Sequence, residues 1–408
     1  MTRYVGGRLA SGLLTLFLFV TLLFFLVNIV IPGDFVSQFI LTAEDASAAR
    51  EALGLNRPLW QQYLSWMSGL ATLSLGESFS RGDVWEAIKE AMPATLVVLT
   101  IGLGMAFILA SWLGRNSAYK GESFFSGALT LIAIIFLTMF PPVLAIVMEE
   151  GIRGSLGFVA FGRLGSLDYE GIWGAISENH EGTMMSPGLV MWRMTAVLLI
   201  TLALLWLLDR GIRQVFRKKI PSWLFLISMV VLPMLVWGQM GLGPRVFDLT
   251  GTLFLLIAGV VLLTFGDVLL VTRAAMDDVM AEDYVMVARA KGLPDRQVRN
   301  HHAARTALLP VLSRFTVSIP YFLTGLVILE AVFGGSAVAG TVPLLHRVSG
   351  PPGMGTLIFD AMRLQDTPLL VGAFLVIGVI TLMLRIGLDV AHAALDPRIR
   401  FDRATHVD

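Results

Sequence analysis

The chain has no cysteine, which excludes disulfides and thiolate metal sites and leaves the redox compartment open. It contains no Gly-x-x-x-x-Gly-Lys-Ser/Thr loop and no Gly-Lys dipeptide, so it does not bind ATP through the usual phosphate loop. His-Glu-x-x-His and Gly-x-Ser-x-Gly are missing too, and with them the common zinc-protease and serine-hydrolase sites. His301 and His302 are adjacent and so point to different faces of a helix, a poor metal pair that reads as polar surface. No catalytic residue, cofactor or metal is expected. Charge is scarce as well: only 15% of the 408 residues are charged, with 30 Lys and Arg balancing 30 Asp and Glu. No nucleic-acid partner is expected.

What fills the chain is apolar. Hydrophobic residues make up 56% and the mean hydropathy is +0.76, beyond ordinary soluble usage. A hydrocarbon core of roughly 30 Å takes about twenty helical residues. Eight segments meet that length: 9–31, 94–113, 127–148, 189–208, 222–240, 251–271, 314–333 and 369–391. The fold class is therefore all-α, a polytopic membrane bundle of about eight helices. Pro233 interrupts the fifth span, Arg193 sits near the outer end of the fourth, and Pro233 and Pro320 are the expected breaks within spans. The first span is too long for a secretory signal and no small-residue cleavage site follows it, so it reads as an uncleaved anchor.

Basic residues orient the bundle. Arg3 and Arg8, Arg115 and Lys120, Arg210 to Lys219, the polar segment 273–313, and Arg398, Arg400 and Arg403 all fall on one side. That side is expected to be the cytoplasm, with both termini in it and the chain multi-pass in the cell membrane, in contact with lipid. Four loops are then external: 32–93, 149–188, 241–250 and 334–368. The second is acidic, with Glu149, Glu150, Asp168, Glu170, Glu178 and Glu181, and reads as solvated surface. In the first, Leu59, Tyr63, Trp66, Met67 and Leu70 share a helix face; they suit an interfacial helix, or a docking surface for an external protein.

Ionisable residues within spans are costly, and so are candidate functional groups. Glu330 lies near the outer end of the seventh span, where helix-end solvation and an external gate explain it equally well. Asp267 is expected to pair locally with Arg273 or to be exposed. Arg385 and Asp389, four apart, fall on one face and can neutralise each other.

The segment 273–313 is a structured device. Helix formers run from Ala274 to Lys291, Gly292-Leu293-Pro294 breaks them, and a second helical pattern starts at Asp295 and ends against Pro310. Gly292 suits the left-handed end of the first helix, and Asp295 offers a carboxylate to the amides of the second. Arg289, Lys291, Arg296, Arg299, His301, His302 and Arg305 make the elbow basic.

Here the chain resembles a family. Tyr284, the block Ala288-Arg289-Ala290-Lys291-Gly292, then His302, Arg305 and Leu308-Leu309-Pro310 stand at the spacing of the coupling loop in ABC-transporter permeases of the oligopeptide, dipeptide and nickel group. Met286-Val287 depart from the usual Arg-Thr, and Thr306 from the usual Asn. The likeness extends to Arg3-Tyr4, Arg8-Leu9, Pro32-Gly33-Asp34, Leu53 to Pro58, Gln62-Tyr63-Leu64, Pro93 to Leu96, Gly353-Met354-Gly355, Asp389 and Leu395 to Arg400. It covers about two thirds of the chain and leaves out roughly 149–251.

The resemblance implies a permease subunit of an ATP-driven, binding-protein-dependent importer with peptide as the first-choice solute. Its pathway would form with a second, similar permease. Separate cytoplasmic ATPases would grip Tyr284, Ala288 to Leu293, His302, Arg305, Leu309 and Pro310, and a binding protein would deliver solute from outside. Glu330 and Pro320 are the gate or pathway candidates. The organisation expected is an anchor helix 1–31, external loop 32–93, transmembrane pair 94–148, atypical insertion 149–251 with two additional spans, permease core 252–395 and tail 396–408. Two other classes fit an apolar bundle: an ion-coupled secondary transporter, which needs intramembrane acid pairs or broken helices, and a non-transporting scaffold. ATP-independent transport would mark the former, and ATPase recruitment without solute movement the latter.

Overall fold

The computed structural model describes residues 2–30, 35–38, 43–52, 54–72, 74–119, 123–151, 187–216, 222–240, 243–333 and 353–395. The acidic residues Asp168 to Glu181, the motifs Pro32-Gly33-Asp34 and Asp396 to Arg400, and the tail 396–408 lie outside the described residues.

Helices dominate, in the order α1 (Thr2–Val30), α2 (Ala43–Ala52), α3 (Leu59–Ala71), α4 (Val84–Tyr119), α5 (Phe124–Thr138), α6 (Pro141–Gly151), α7 (Pro187–Phe216), α8 (Ser222–Gln239), α9 (Gly243–Met280), α10 (Asp283–Ala290), α11 (Asp295–Gln297), α12 (Ala304–Phe333), α13 (Met354–Arg363) and α14 (Thr367–Leu395). A two-residue hairpin, Glu77–Ser78 against Gly82–Asp83, precedes α4. Val298–Ala303 forms a π-helical turn that leads into α12.

Six helices among the described residues are long and apolar enough to span a membrane, or seven if a bent pair counts as one. The expected eight is not reached, for two physical reasons. Segment 127–148 is not one straight span: α5 and α6 meet at 112°. Pro141 and Pro142 lack the amides that would continue α5, and a residue before proline avoids the helical region. The segment 222–240 yields an 18-residue helix with Pro233 inside, about 27 Å of rise against a core of roughly 30 Å. The supposed loop 241–250 is mostly helix as well, since α9 starts at Gly243.

Small residues set the helix contacts. A β-carbon built on Gly102 would come within 2.8 Å of Val260, and one on Gly114 within 2.9 Å of the Leu269 carbonyl oxygen; the matched order makes α4 and α9 parallel. Gly259 against Leu329 and Gly325 against Leu263 make α9 and α12 antiparallel. Gly266 lies so close to α5 that a β-carbon there would overlap the Ala133 carbonyl oxygen. These helices enclose the main core, which includes Leu99, Leu256, Leu263, Leu269, Ile319 and Phe322. On the flank, α1 packs antiparallel on α14 through Gly12 against Leu382 and Gly378 against Leu16.

The amphipathic segment after Pro58 is indeed a helix, α3, and it is stapled to α1. Phe24 stands 5.4 Å from Tyr63 and 6.0 Å from Trp66 between ring centroids, and the hydroxyls of Thr21 and Tyr63 are 2.8 Å apart. Trp60 and Leu64 remain exposed.

Candidate functional site

At one end of the bundle α9 stops at Met280, and the chain turns into the elbow. Val285 and Ala288 on α10 bury against Val298, with Met280 and Leu293 packed around them. Gly292 has φ +77°, the left-handed conformation expected of it. The Leu293 amide donates to the Ala288 carbonyl at 3.4 Å and the Gly292 amide to that of Arg289 at 2.9 Å, a Schellman close of α10.

Asp295 does not cap α11 with its side chain. Its carboxylate accepts from the Tyr119 hydroxyl at 2.7 Å and stands 3.8 Å from the Arg289 guanidinium, while Arg299 lies 4.9 Å above the Tyr119 ring. The elbow is thus bolted to the end of α4. Pro310 does not close the second coupling helix either. It lies inside α12, which runs unbroken from Ala304.

Of the expected partner-facing residues, Tyr284, Arg289, Ala290, Lys291, Gly292, His302, Arg305 and Pro310 are exposed, Leu293 and Leu309 are half-buried, and Ala288 is turned inward onto Val298. Ala288 shapes the elbow from within. The Tyr284 hydroxyl donates to Thr306 at 3.2 Å. Met286 and Val287, the two departures from the usual Arg-Thr, are the most exposed large apolar side chains of the elbow, at 66% and 52%. The result is a short helix whose inner face is satisfied and whose outer face is apolar and basic. Beside it, between α4 and α12, lies a cavity of about 330 Å³ lined by Ile108, Ser111, Trp112, Arg115, Leu308 and Val311 among others.

The other end is held by buried acids. Glu330 is 1% exposed, so helix-end solvation does not explain it. Its Oε2 accepts from the Thr95 hydroxyl at 2.9 Å and the Gly355 amide at 2.8 Å. The Thr95 oxygen accepts in turn from the Met354 amide at 2.8 Å, and the Thr356 hydroxyl donates to the Glu330 carbonyl at 3.1 Å. The carboxylate therefore ties α4, α12 and α13 together. Side chains at Gly353 or Gly355 would overlap it or the Val327 carbonyl oxygen. Nearby, Asp366 accepts from the Ser78 and Ser80 hydroxyls at 2.6 and 2.7 Å, which seats the hairpin against the start of α14.

Asp360 on α13 pairs with Arg81 at 3.0 Å. Burial pushes its carboxyl above the ordinary value of 3.8, and Arg81 pulls the other way. A carboxyl whose folded pKa is raised binds its proton more tightly in the folded chain. Its contribution favours folding below that ordinary value and is lost as pH rises through the raised one. Melting temperature measured against pH should show this slope in the wild type, and Asp360→Asn should flatten it. Equal slopes in both chains would remove Asp360 from the balance.

Asp267 is neither exposed nor paired with Arg273. It is 5% exposed, accepts from the Ser318 hydroxyl at 2.6 Å and pairs with Arg314 at 3.2 Å. Arg273 instead reaches Thr130 and the Ser126 carbonyl on α5 and lies 3.8 Å from Asp277. The break between α5 and α6 is of the kind a secondary transporter uses, yet residues 124–148 carry no ionisable side chain.

The comparisons accord with this geometry. The family described as "Binding-protein-dependent transport system inner membrane component" matches residues 183–401, and its N-terminal companion, "Binding-prot-dependent transport system membrane comp, N-term", matches 1–99. The first match takes in α7 and α8. The chain is 26% identical over 407 residues to the dipeptide transport system permease protein DppB of Lactococcus lactis subsp. cremoris (strain MG1363), covering 98% of this chain and 100% of the relative. It is 27% identical over 413 residues to the di/tripeptide transport system permease protein DppB of Pseudomonas aeruginosa (strain UCBPP-PA14), covering 99% and 100%. Against the dipeptide permease DppB of Escherichia coli (strain K12) the identity is 25% over 407 residues, covering 98% and 99%.

Proposed function

The chain belongs to the family of binding-protein-dependent transport system inner membrane components, and from that premise we propose that it carries small peptides across the cell membrane. It is a multi-pass permease subunit of an ABC importer, not an enzyme, and ATP is hydrolysed on a separate subunit. The single observation that carries the fuller reading is the elbow. It is a pre-formed, internally packed helix pair, closed by Gly292 and anchored to α4 through Asp295 and Tyr119, whose outer face presents Tyr284, Met286 and Val287 to a partner.

In this reading a cytoplasmic ATPase seats on that face, and its closure on ATP pushes the elbow against the ends of α4, α9 and α12. A second permease completes the pathway, and an external binding protein docks at the opposite end, around α3 and the segment leading into α13. The elbow end, near which α1 begins and α14 finishes, is then cytoplasmic. In this reading Glu330, bonded to Thr95, fastens helices at the outer end, and Pro320, on an exposed face of α12, stays the pathway candidate. Peptide is the solute of choice because the relatives above are named for dipeptides and tripeptides. The organisation at 1–31, 32–93, 94–148, 149–251, 252–395 and 396–408 and the role of α7 and α8 remain part of this proposal.

The test is uptake of a labelled dipeptide into vesicles that hold the assembled importer with its binding protein. ATP-dependent uptake that vanishes without this chain is the expected result. Uptake driven by an ion gradient without ATP would replace the reading with a secondary transporter.

A further inference from the structure

One face of α12 differs from the apolar exposed faces of α1 and α5. From Phe17 onward α1 exposes Phe17, Leu18, Leu22 and Leu26, and α5 exposes Ile132 and Ile135, as suits helices that meet hydrocarbon. Most of α12 is buried, but a narrow stripe at helical spacing is open: Pro310, Arg314, Val317, Tyr321 and Thr324. Arg314 lies ten residues into this helix, about 15 Å from its start. Its side chain is 54% exposed.

The expected span 314–333 places this guanidinium at its inner end, where an arginine side chain ordinarily snorkels to the headgroup layer. Retreat to the headgroup layer is blocked, because the Arg314 Nε–H is held at 3.2 Å by buried Asp267, itself fixed by Ser318 at 2.6 Å. That anchor uses only Nε. The two Nη groups make no hydrogen bond among the described residues, and they form the fork that a carboxylate meets in bidentate fashion.

We propose that this stripe of α12 lines the aqueous pathway and that Arg314, positioned by Asp267 and Ser318, is a binding residue for the carboxylate of the moving solute. The identity of that solute rests on the peptide reading above, and a peptide brings its C-terminal carboxylate. Val317 and Tyr321, one and two turns further out, wall the path beyond the cation, and Thr324 supplies a hydroxyl.

The absence of cysteine makes the test direct. Val317→Cys, Tyr321→Cys and Thr324→Cys, with Leu18→Cys and Ile132→Cys as lipid-facing controls, are placed in the assembled importer and treated with a charged, membrane-impermeant methanethiosulfonate. The three α12 positions should react during ATP turnover and the controls should not. If the α12 positions stay unreactive in every nucleotide state, the stripe is covered by lipid or by the second permease, and the pathway assignment is overturned.

The second arm compares uptake of a dipeptide with that of its C-terminal amide. Arg314→Gln should cut the preference for the free acid by about tenfold, the loss of one charge-assisted contact, and Arg314→Lys should retain part of it. An unchanged preference, or equal losses for acid and amide, overturns the role of Arg314. Labelling of the stripe in a complex that moves no dipeptide would leave the pathway standing and sink the peptide reading together with the carboxylate contact.

Discussion

Gly355→Val should strip this protein of most of its stability in detergent, although the residue touches neither the elbow nor the stripe on α12. A β-carbon at Gly355 would overlap the Val327 carbonyl oxygen and lie 2.7 Å from the Glu330 Cβ. Both obstacles belong to a buried helix, so α13 has to lift away. Lifting breaks the amide bonds that Gly355 and Met354 send to Glu330 and Thr95 and leaves buried acceptors without their donors, a loss of about 1–3 kcal/mol for each. A thermal melt checks it, with Gly104→Ala as control, because a side chain there meets nothing within 4 Å. Glu330→Gln should be far milder, since its amide oxygen still accepts from Thr95 and Gly355. A Gly355→Val chain that melts with the wild type would show that Glu330 does not fasten α13 to the bundle.

Gly292→Trp should do the reverse, with transport lost and the fold kept. The left-handed backbone at Gly292 charges any side chain about 1–2 kcal/mol, but nothing in the chain lies within 4 Å of a β-carbon there. Melting should therefore shift little. The indole instead projects from the elbow into the space where the proposed ATPase sits. Substrate-stimulated ATP hydrolysis and uptake by the assembled importer should fall to background, while Gly292→Ala keeps a measurable fraction of both. Full coupled hydrolysis with tryptophan at this position would remove the elbow from the ATPase contact.

The elbow was legible in sequence because its signals are local. Gly292-Leu293-Pro294 ends one helix and starts the next within three residues, and a left-handed glycine is what the structure holds there. The apolar spans were legible for the same reason, as runs of about twenty residues. The fold's fastenings were not, because they join residues far apart. Thr95 reaches Glu330 across 235 positions, and Asp267 passes over its neighbour Arg273 to pair with Arg314, 47 residues away. Periodicity reports which face of a helix is apolar but not which helix it meets. The break at Pro141-Pro142 is a different lesson. Its signal stood in plain sight inside an apolar run, and hydropathy alone outvoted two missing amides. Pro310 shows the converse, a proline that the long helix α12 absorbs at an exposed position.

The central claim, that this chain is the membrane half of an ATP-driven complex engaged through its elbow, meets its most direct test in affinity purification from mild detergent. The tagged wild type and Gly292→Trp would be compared by mass spectrometry of what accompanies each. Wild type should bring an ATPase and a second permease, and Gly292→Trp should keep the permease and lose the ATPase. A chain that returns alone in both preparations would contradict the account.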